Sequence, residues 1–234
     1  MTRFLTMRDE HGHRPIRSYL KRQGRLSARQ KRGLTMLSRY AISSSDAPLD
    51  LGAYFTRNAP IVLEIGFGMG DSFLEMVRTN PTIDFIGMEV YPPGIGSVCA
   101  ACVEEGLDNV RIGDFDAVSL IDRLADASID RVQIYFPDPW HKARHHKRRL
   151  INQLFLQKCA RVVRPGGQCH IATDWTLYKE AILEAVQGLA SYWQPTDMLD
   201  DRIKLKARTQ TKYEARGLRL DHPIWDIYLV RGKE

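Results

Sequence analysis

Short apolar runs alternate with amphipathic stretches from residue 60 to the end of the chain. The predicted strands, rich in β-branched and aromatic residues, are 61–65, 83–90, 110–112, 129–136, 168–172 and 225–230. The predicted helices, in which apolar residues recur at helical spacing, are 72–79, 95–105, 117–124, 150–162 and 177–189. This alternation predicts an α/β fold with a mostly parallel sheet covered by helices on both faces.

Local signals predict where some elements begin and end. Ser27 and Gln30 form a capping-box pattern before a short helix, and Ser72 and Glu75 form a second one. Gly106 is suited to the C-cap of the 95–105 helix. A turn is predicted at Pro165-Gly-Gly, before the fifth strand.

Charge divides the chain into a basic N-terminal arm, residues 1–45, and a main domain, residues 46–234. The net charge is +6, yet the arm alone holds eleven Lys and Arg against two acids. A second basic zone, 139–173, has eight Lys and Arg and no acid. Two basic zones on a weakly acidic body favour a polyanionic partner. The alternative is a solvated basic face.

Composition excludes several classes of protein. The chain has 234 residues, of which 44% are hydrophobic, so it can bury a sizeable core. No uninterrupted apolar run is long enough for a membrane span, and the N-terminus lacks the apolar block of a secretory signal. We expect a cytoplasmic protein with no membrane association and no obligate protein partner. Cys99 and Cys102 have C-x-x-C spacing, but no second pair completes a metal site, so no metal is predicted.

Each of the first five predicted strands carries a carboxylate at or just beyond its end. These residues are Glu64, Glu89, Asp114 with Asp116, Asp138 and Asp174. Ligands of such sheets bind beyond the carboxyl ends of the strands. Any one acid could instead cap the following helix, but five on one rim favour a binding site.

The loop after the first strand favours a ligand with an ammonium group. Gly66, Gly68 and Gly70 give G-x-G-x-G spacing rather than the dinucleotide G-x-G-x-x-G, and Glu64 precedes them. A carboxylate there suits an ammonium and repels a pyrophosphate. Glu89, at the second strand's end, is placed to accept hydrogen bonds from ribose hydroxyls.

At Glu64–Gly70 the chain resembles the class I S-adenosylmethionine-dependent methyltransferases. The resemblance implies a Rossmann-like fold with a seven-stranded sheet, and S-adenosyl-L-methionine as cofactor. It implies that the glycine loop, including Gly66, approaches the methionine portion and that Glu89 holds the ribose. Asp116 and Asp114 compete for the adenine, and Asp116 is favoured.

Further motifs resemble the bacterial tRNA (guanine-N7)-methyltransferases, from about residue 14 to the C-terminus. They are Ile16-Arg-Ser, Lys21–Leu26, Phe136-Pro-Asp-Pro-Trp-His-Lys142 with the basic run to Arg149, Ala172-Thr-Asp-Trp175, Thr211–Glu214 and Arg216-Gly217. The resemblance implies methyl transfer to N7 of a guanine in the variable loop of tRNA, at position 46 of that RNA.

The chemistry of guanine N7 indicates what such a site needs. N7 already has an in-plane lone pair, so no proton has to leave and the enzyme's work is mostly positioning. The methylated base becomes positive, and a nearby carboxylate stabilises that charge. Asp138 is the predicted catalytic residue, facing both the cofactor and the guanine edge. The term general base would overstate its role.

The other predicted site residues fall into two groups. The substrate-binding residues are Lys142, Asp174, Thr211, Lys212, Tyr213 and Glu214. The RNA-binding residues, predicted to begin the helix after the rim and to contact phosphates, are Arg144, Lys147, Arg148 and Arg149. Lys142 could be a plain surface lysine, and Asp174 could merely cap the next helix. Rival functions are a nicotinamide-dependent oxidoreductase and a non-catalytic RNA-binding module.

Overall fold

The computed structural model describes residues 18–19, 24–197, 214 and 223–232. The strands are β1 Ile61–Ile65, β2 Asp84–Met88, β3 Val110–Gly113, β4 Ile129–Tyr135, β5 Val163–Thr173, β6 Trp193–Pro195 and β7 Trp225–Arg231. The helices are α1 Ala28–Thr35, α2 Leu37–Tyr40, α3 Asp71–Thr79, α4 Pro92–Glu105, α5 Ala117–Arg123, α6 Gln153–Val162 and α7 Thr176–Gln187. Two 3-10 helices span Leu51–Ala53 and Ala143–Arg148.

The seven strands form one sheet in the order β3-β2-β1-β4-β5-β7-β6. Strands β1 to β5 run parallel, and β7 pairs antiparallel with both β5 and β6. The order reverses at β1, which lies between β2 and β4, and this is where ligands of open α/β sheets bind. The predicted seven-stranded, mostly parallel Rossmann-like sheet is confirmed.

Side chains that alternate along the strands pack into two apolar layers, one on each face of the sheet. Leu63 and Ile65 of β1 join the layer formed with α5, α6 and α7. Val62 of the same strand joins the layer formed with α3 and α4. Because both faces are covered, the residues of β1 and β2 are buried almost throughout, as is usual in parallel sheets.

Helix α1 packs on α4 through two glycines. A Cβ atom on Gly33 would lie 1.9 Å from the carbonyl oxygen of Gly96, so only glycine permits this approach. The predicted Ser27–Gln30 capping box is present, with both of its hydrogen bonds formed. Arg29 adds a bidentate contact to Glu104 of α4, with Nε donating to Oε1 and Nη2 to Oε2. This part of the chain therefore lies against the sheet domain, while the division at residue 45 stays a prediction.

Three local predictions differ from the structure. Helix α3 begins at Asp71 and its N-cap is Gly70, so Ser72 lies inside the first turn and the predicted second capping box is wrong. The Pro165-Gly-Gly segment is not a turn before a strand; it is a bulge within β5, with Gly166 at φ 74°. Strand β6 was not predicted, because it has three residues and one is proline.

Candidate active site

The carboxyl ends of the five parallel strands meet at one edge of the sheet. Ile65 lies opposite Met88 and Ile134, and Met88 lies opposite Gly113. Tyr135 lies opposite Ala172 on β5. The predicted carboxylates lie one to three residues beyond these positions or, for Glu64, one residue before them. The structure therefore brings all five strand-end acidic positions to the same rim.

The loop after β1 places three glycines, which have no side chains, at this rim. Gly66, Gly68 and Gly70 have φ values of 83°, 60° and 85°, in the left-handed region that favours glycine. A Cβ atom on Gly94, in the first turn of α4, would lie 1.8 Å from the Gly68 carbonyl oxygen. The loop is thus fixed against α4, with no side chain at three of its positions. This geometry fits close approach by an extended ligand.

Glu64 is a buried carboxylate beside that loop. The residue is 3% exposed, and its Oε2 accepts a hydrogen bond of 2.6 Å from Nε2 of Gln133 on β4. A buried carboxylate is costly unless it is paired or hydrogen-bonded. Its charge suits a ligand that carries an ammonium group.

Glu89 shapes the glycine loop as well as facing the rim. Its Oε2 accepts from the backbone N–H of Gly68 at 2.7 Å, and its Oε1 accepts from Val90 and Tyr91 at 2.7 and 3.0 Å. Burial raises the pKa of this carboxyl, although the three N–H groups oppose the rise. A carboxylate has about four acceptor sites, so capacity for ribose hydroxyls remains.

Asp116 has a capping role that the sequence left open as an alternative. It is the N-cap of α5, and its Oδ1 accepts from Val118 N at 2.8 Å. It also lines a cavity of about 280 Å³ together with the basic residues Lys147 and Arg148. Asp114, the competing residue, is exposed. Which of the two meets an adenine ring stays a prediction.

Asp138 lies in a strained loop after β4. Phe136 and Trp140, on either side of it, have φ values of 51° and 48°, which non-glycine residues rarely adopt. Such strain costs about 1–3 kcal/mol per residue and is concentrated at functional sites. Asp138 itself is exposed, so its carboxylate is accessible at the rim.

Arg149 holds this loop in place from behind. The residue is 8% exposed, and its guanidinium donates to the Pro139 carbonyl at 2.9 Å and to the Leu177 carbonyl at 3.4 Å. It also lies 4.8 Å from the ring centroid of Tyr178. Burial lowers the pKa of Arg149, which still remains protonated at neutral pH. This buried position favours a structural role behind the Asp138 loop, and the contact of Arg149 with RNA phosphate stays a prediction.

The other predicted RNA-binding residues form a short exposed element. They lie on the 3-10 helix Ala143–Arg148, which is separate from α6, so the prediction that they begin the next helix is wrong. Arg144 and Lys147 are exposed, and Arg148 lies 5.0 Å from the ring centroid of Trp140. We name this element the basic turn, residues 143–148. It stands directly beside the Asp138 loop.

The predicted substrate residues are only partly described. Lys142 is exposed and directly precedes the basic turn, and Asp174 is half-buried. The N-cap of α7 is Trp175, so Asp174 is not the N-cap residue. Glu214 is half-buried. The remaining predicted residues, Thr211, Lys212 and Tyr213, lie outside the described part of the chain.

The cysteines pack in the core. Cys99 and Cys102 of α4 are fully buried, and burial raises the pKa of each thiol to about 12. Within the described ranges, no group of three or more His, Cys, Asp or Glu side chains is placed to hold a metal ion. The same ranges contain no helix of the length and apolarity that a membrane crossing needs.

Sequence reasoning missed a set of buried polar residues on β4 and β5. Arg131, Gln133 and Tyr135 lie on one face of β4, and Gln133 contacts Glu64 directly. His170 on β5 lies within hydrogen-bond distance of Arg131 and Tyr135. The sequence contains a signal for this set, since Arg131, Gln133 and Tyr135 occupy every second position of β4.

Comparisons with known proteins agree with this geometry. Residues 58–227 match a protein family described as "Putative methyltransferase". Among solved structures, the antibiotic-resistance methyltransferase Kmr superposes with a TM-score of 0.53 at 15% identity, over 82% of this chain and 94% of Kmr. An rRNA methylase from Streptococcus thermophilus gives a TM-score of 0.50 at 14% identity, over 78% and 92%. The fold and the family match define a methyltransferase.

The [4+2]-cyclase SpnF shares the fold with a TM-score of 0.51 at 16% identity, over 79% of each chain, so fold alone does not fix the reaction. Relatives of higher sequence identity indicate which kind of methyltransferase this chain is. A tRNA (guanine-N(7)-)-methyltransferase from Cronobacter sakazakii is 44% identical over 96% of this chain and 96% of its own. One from Pseudomonas savastanoi is 43% identical over 94% and 91%. The chain belongs to the tRNA (guanine-N(7)-)-methyltransferase family.

Proposed function

We propose that this chain transfers a methyl group from S-adenosyl-L-methionine to N7 of a guanine in the variable loop of tRNA, in the cytoplasm. The observation that carries the proposal is the arrangement of the rim. A glycine loop with an acidic partner lies beside a strained loop that presents an accessible carboxylate, Asp138, and a basic turn adjoins both. The near full-length similarity to curated tRNA (guanine-N(7)-)-methyltransferases supports the same substrate.

The residues around β1 and β2 fit the proposed cofactor. Glu64 would accept from its ammonium group, and Gly66 gives its methionine portion open space, since a Cβ there would meet no atom within 4 Å. Glu89 would accept from the ribose hydroxyls, and Asp116 would meet the adenine. When bound, the cofactor supplies a methyl group on an electrophilic sulfonium. The acceptor chemistry of these side chains matches a cationic ligand rather than a pyrophosphate.

Asp138 would orient the guanine base and stabilise its charge, and it would not act by accepting a proton during methyl transfer. Its carboxylate would accept from the N1–H and N2–H edge of the guanine and so orient N7 towards the methyl group. As positive charge develops on the base, the same carboxylate stabilises it more strongly than it stabilises the neutral ground state. Lys142 and Asp174 would contact the substrate beside it, with Thr211–Glu214 completing the pocket.

The basic turn would hold the RNA backbone. Arg144, Lys147 and Arg148 present cationic groups next to the Asp138 loop, where phosphates flanking the target base would lie. Such contacts position the RNA without reading its sequence. They also offset the cost of unstacking the base, roughly a few kcal/mol.

A modified transcript tests the proposal at the atom concerned. A tRNA transcript that carries 7-deazaguanine only at the variable-loop guanine lacks the proposed nucleophile and is otherwise nearly unchanged. We expect labelled methyl transfer to the ordinary transcript and none to the modified one, while both bind equally well. Equal labelling of both transcripts would refute N7 of that guanine as the target.

A further inference from the structure

A line of polar side chains, each within hydrogen-bonding distance of the next, crosses one face of the sheet from the rim at β1 to the antiparallel strand β7. Its members are Glu64, Gln133, Tyr135, His170 and Asp226. Gln133 Nε2 donates to Glu64 at 2.6 Å, and the Tyr135 hydroxyl lies 3.1 Å from Gln133 Oε1 and 3.0 Å from His170 Nδ1. His170 Nε2 lies 2.6 Å from Asp226 Oδ1. The line therefore spans β1, β4, β5 and β7.

Arg131 determines which atoms donate and which accept on either side of the contact between Tyr135 and His170. Its guanidinium nitrogen lies 2.7 Å from His170 Nδ1, and a guanidinium can only donate. Nδ1 must therefore be the acceptor, and the proton on Nε2 is donated to Asp226. With the single lone pair of Nδ1 engaged by Arg131, the Tyr135 hydroxyl donates its proton to Gln133 Oε1.

This direction determines how the Gln133 amide is oriented. Its oxygen accepts from Tyr135, so its NH₂ group must face the Glu64 carboxylate. Gln133 is fully buried and Glu64 is 3% exposed, so a reversed amide would set its oxygen against a buried carboxylate. The opposite face of β4 at this level carries Val132, which is apolar and also fully buried. An apolar residue would fill the Gln133 position more cheaply if packing were its only purpose.

We infer that Gln133, itself oriented by Tyr135, is a positioning residue for the cofactor: it holds the Glu64 carboxylate aimed at the ammonium group of S-adenosyl-L-methionine. The inference rests on the proposed function, because it takes Glu64 as the ammonium-binding residue. Gln133 acts only through Glu64. Its effect should therefore be limited to ligands that carry the amino group.

Two adenosine ligands separate positioning from general loosening of the pocket. S-Adenosylhomocysteine retains the amino acid portion, whereas 5′-methylthioadenosine lacks it. Calorimetric titration of both ligands would compare the wild type with Gln133→Met, which keeps the side-chain length and removes the donor. Hydrogen bonds to charged groups predict S-adenosylhomocysteine binding weakened by about 10- to 100-fold, with 5′-methylthioadenosine binding unchanged. Tyr135→Phe, a smaller change, should weaken the same ligand selectively but less.

Two control variants distinguish a positioning role of Gln133 from a general loss of packing. Val132→Ala removes buried volume from the other face of β4 and should leave the ratio of the two affinities unchanged. If Gln133→Met and Tyr135→Phe weaken both ligands equally, or neither, the positioning role is overturned. Glu64→Gln tests the placement of the ammonium group independently of Gln133. If only Glu64→Gln alters the ratio of the S-adenosylhomocysteine and 5′-methylthioadenosine affinities, the inference about Gln133 fails and the placement of the ammonium group at Glu64 stands. If Glu64→Gln leaves this ratio unchanged, both the placement of the ammonium group and the inference about Gln133 fail.

Discussion

Arg149 offers a clear test because the basic motif predicts an RNA contact for it, whereas the structure buries its side chain behind the Asp138 loop. The perturbation is Arg149→Met, which keeps an unbranched stem over Tyr178 and removes the guanidinium. Arg148→Met is the matched control, since Arg148 is the neighbouring arginine of the basic turn. The two variants remove the same charge from adjacent positions.

The contacts of Arg149 give the expected size of the effect. Two backbone carbonyls, those of Pro139 and Leu177, lose a donor at about 1 kcal/mol each. Loss of the cation over the Tyr178 ring removes about 0.5–1 kcal/mol more. The sum, about 2.5–3 kcal/mol, corresponds to a fall in Tm of about 5–12 °C for a chain of this size. A displacement of the Asp138 loop by about 1 Å would lower kcat about 100-fold.

Steady-state methyl transfer and tRNA binding at several salt concentrations distinguish the two roles. We expect Arg149→Met to lower kcat and Tm while the KM for tRNA and the salt dependence of binding stay close to wild type. Arg148→Met should instead weaken tRNA binding and reduce the slope of log K against log salt by about one, with kcat retained. An Arg149 variant with normal kcat and a reduced salt slope would refute the positioning role and restore the phosphate contact.

Three further predictions concern other parts of the molecule. Gly33→Ala should separate α1 from α4 and cost about 1–3 kcal/mol, since its Cβ would lie 1.9 Å from the Gly96 carbonyl oxygen; an unchanged Tm would contradict this. Because burial raises the pKa of Glu89 and only the ionised carboxylate is a pure acceptor, S-adenosylhomocysteine affinity should fall on acidification at a higher pH than an ordinary glutamate would give. Glu89→Gln should bind more weakly and lose that pH dependence in calorimetric titrations. Asp138→Ala should sharply lower methyl transfer with Tm and tRNA affinity nearly unchanged, because Asp138 is exposed; normal turnover would refute its role.

The sheet was predictable because its signals are local and repeated. Five parallel strands and the helices between them follow from apolar periodicity, and Gly106 ends α4 in the left-handed conformation that its position predicted. The strand ends then placed the acidic residues on one rim, since parallel strands share an edge. Short elements escaped prediction. Strand β6 depends on pairing with β7, which local sequence does not encode.

The sequence predicts which acidic residues lie at the strand ends, but it does not predict which side chains contact one another around them. A run such as Lys147-Arg-Arg149 carries no local signal for which arginine turns inward. Arg149 is buried because the Pro139 and Leu177 carbonyls and the Tyr178 ring converge on it, and these come from two distant segments. Gln133 is similar, since its partner Glu64 lies 69 residues earlier in the chain. Tertiary contacts of this kind decide role, and charge patterning alone does not.

The most direct test is methyl transfer from labelled S-adenosyl-L-methionine to unmodified bulk tRNA, followed by digestion to nucleosides and identification of the labelled product. The proposed function predicts label in N7-methylguanosine alone, lost with Asp138→Ala. Label in another nucleoside would contradict the guanine N7 chemistry proposed for the rim. No label with a folded protein and intact tRNA would contradict the proposed activity itself.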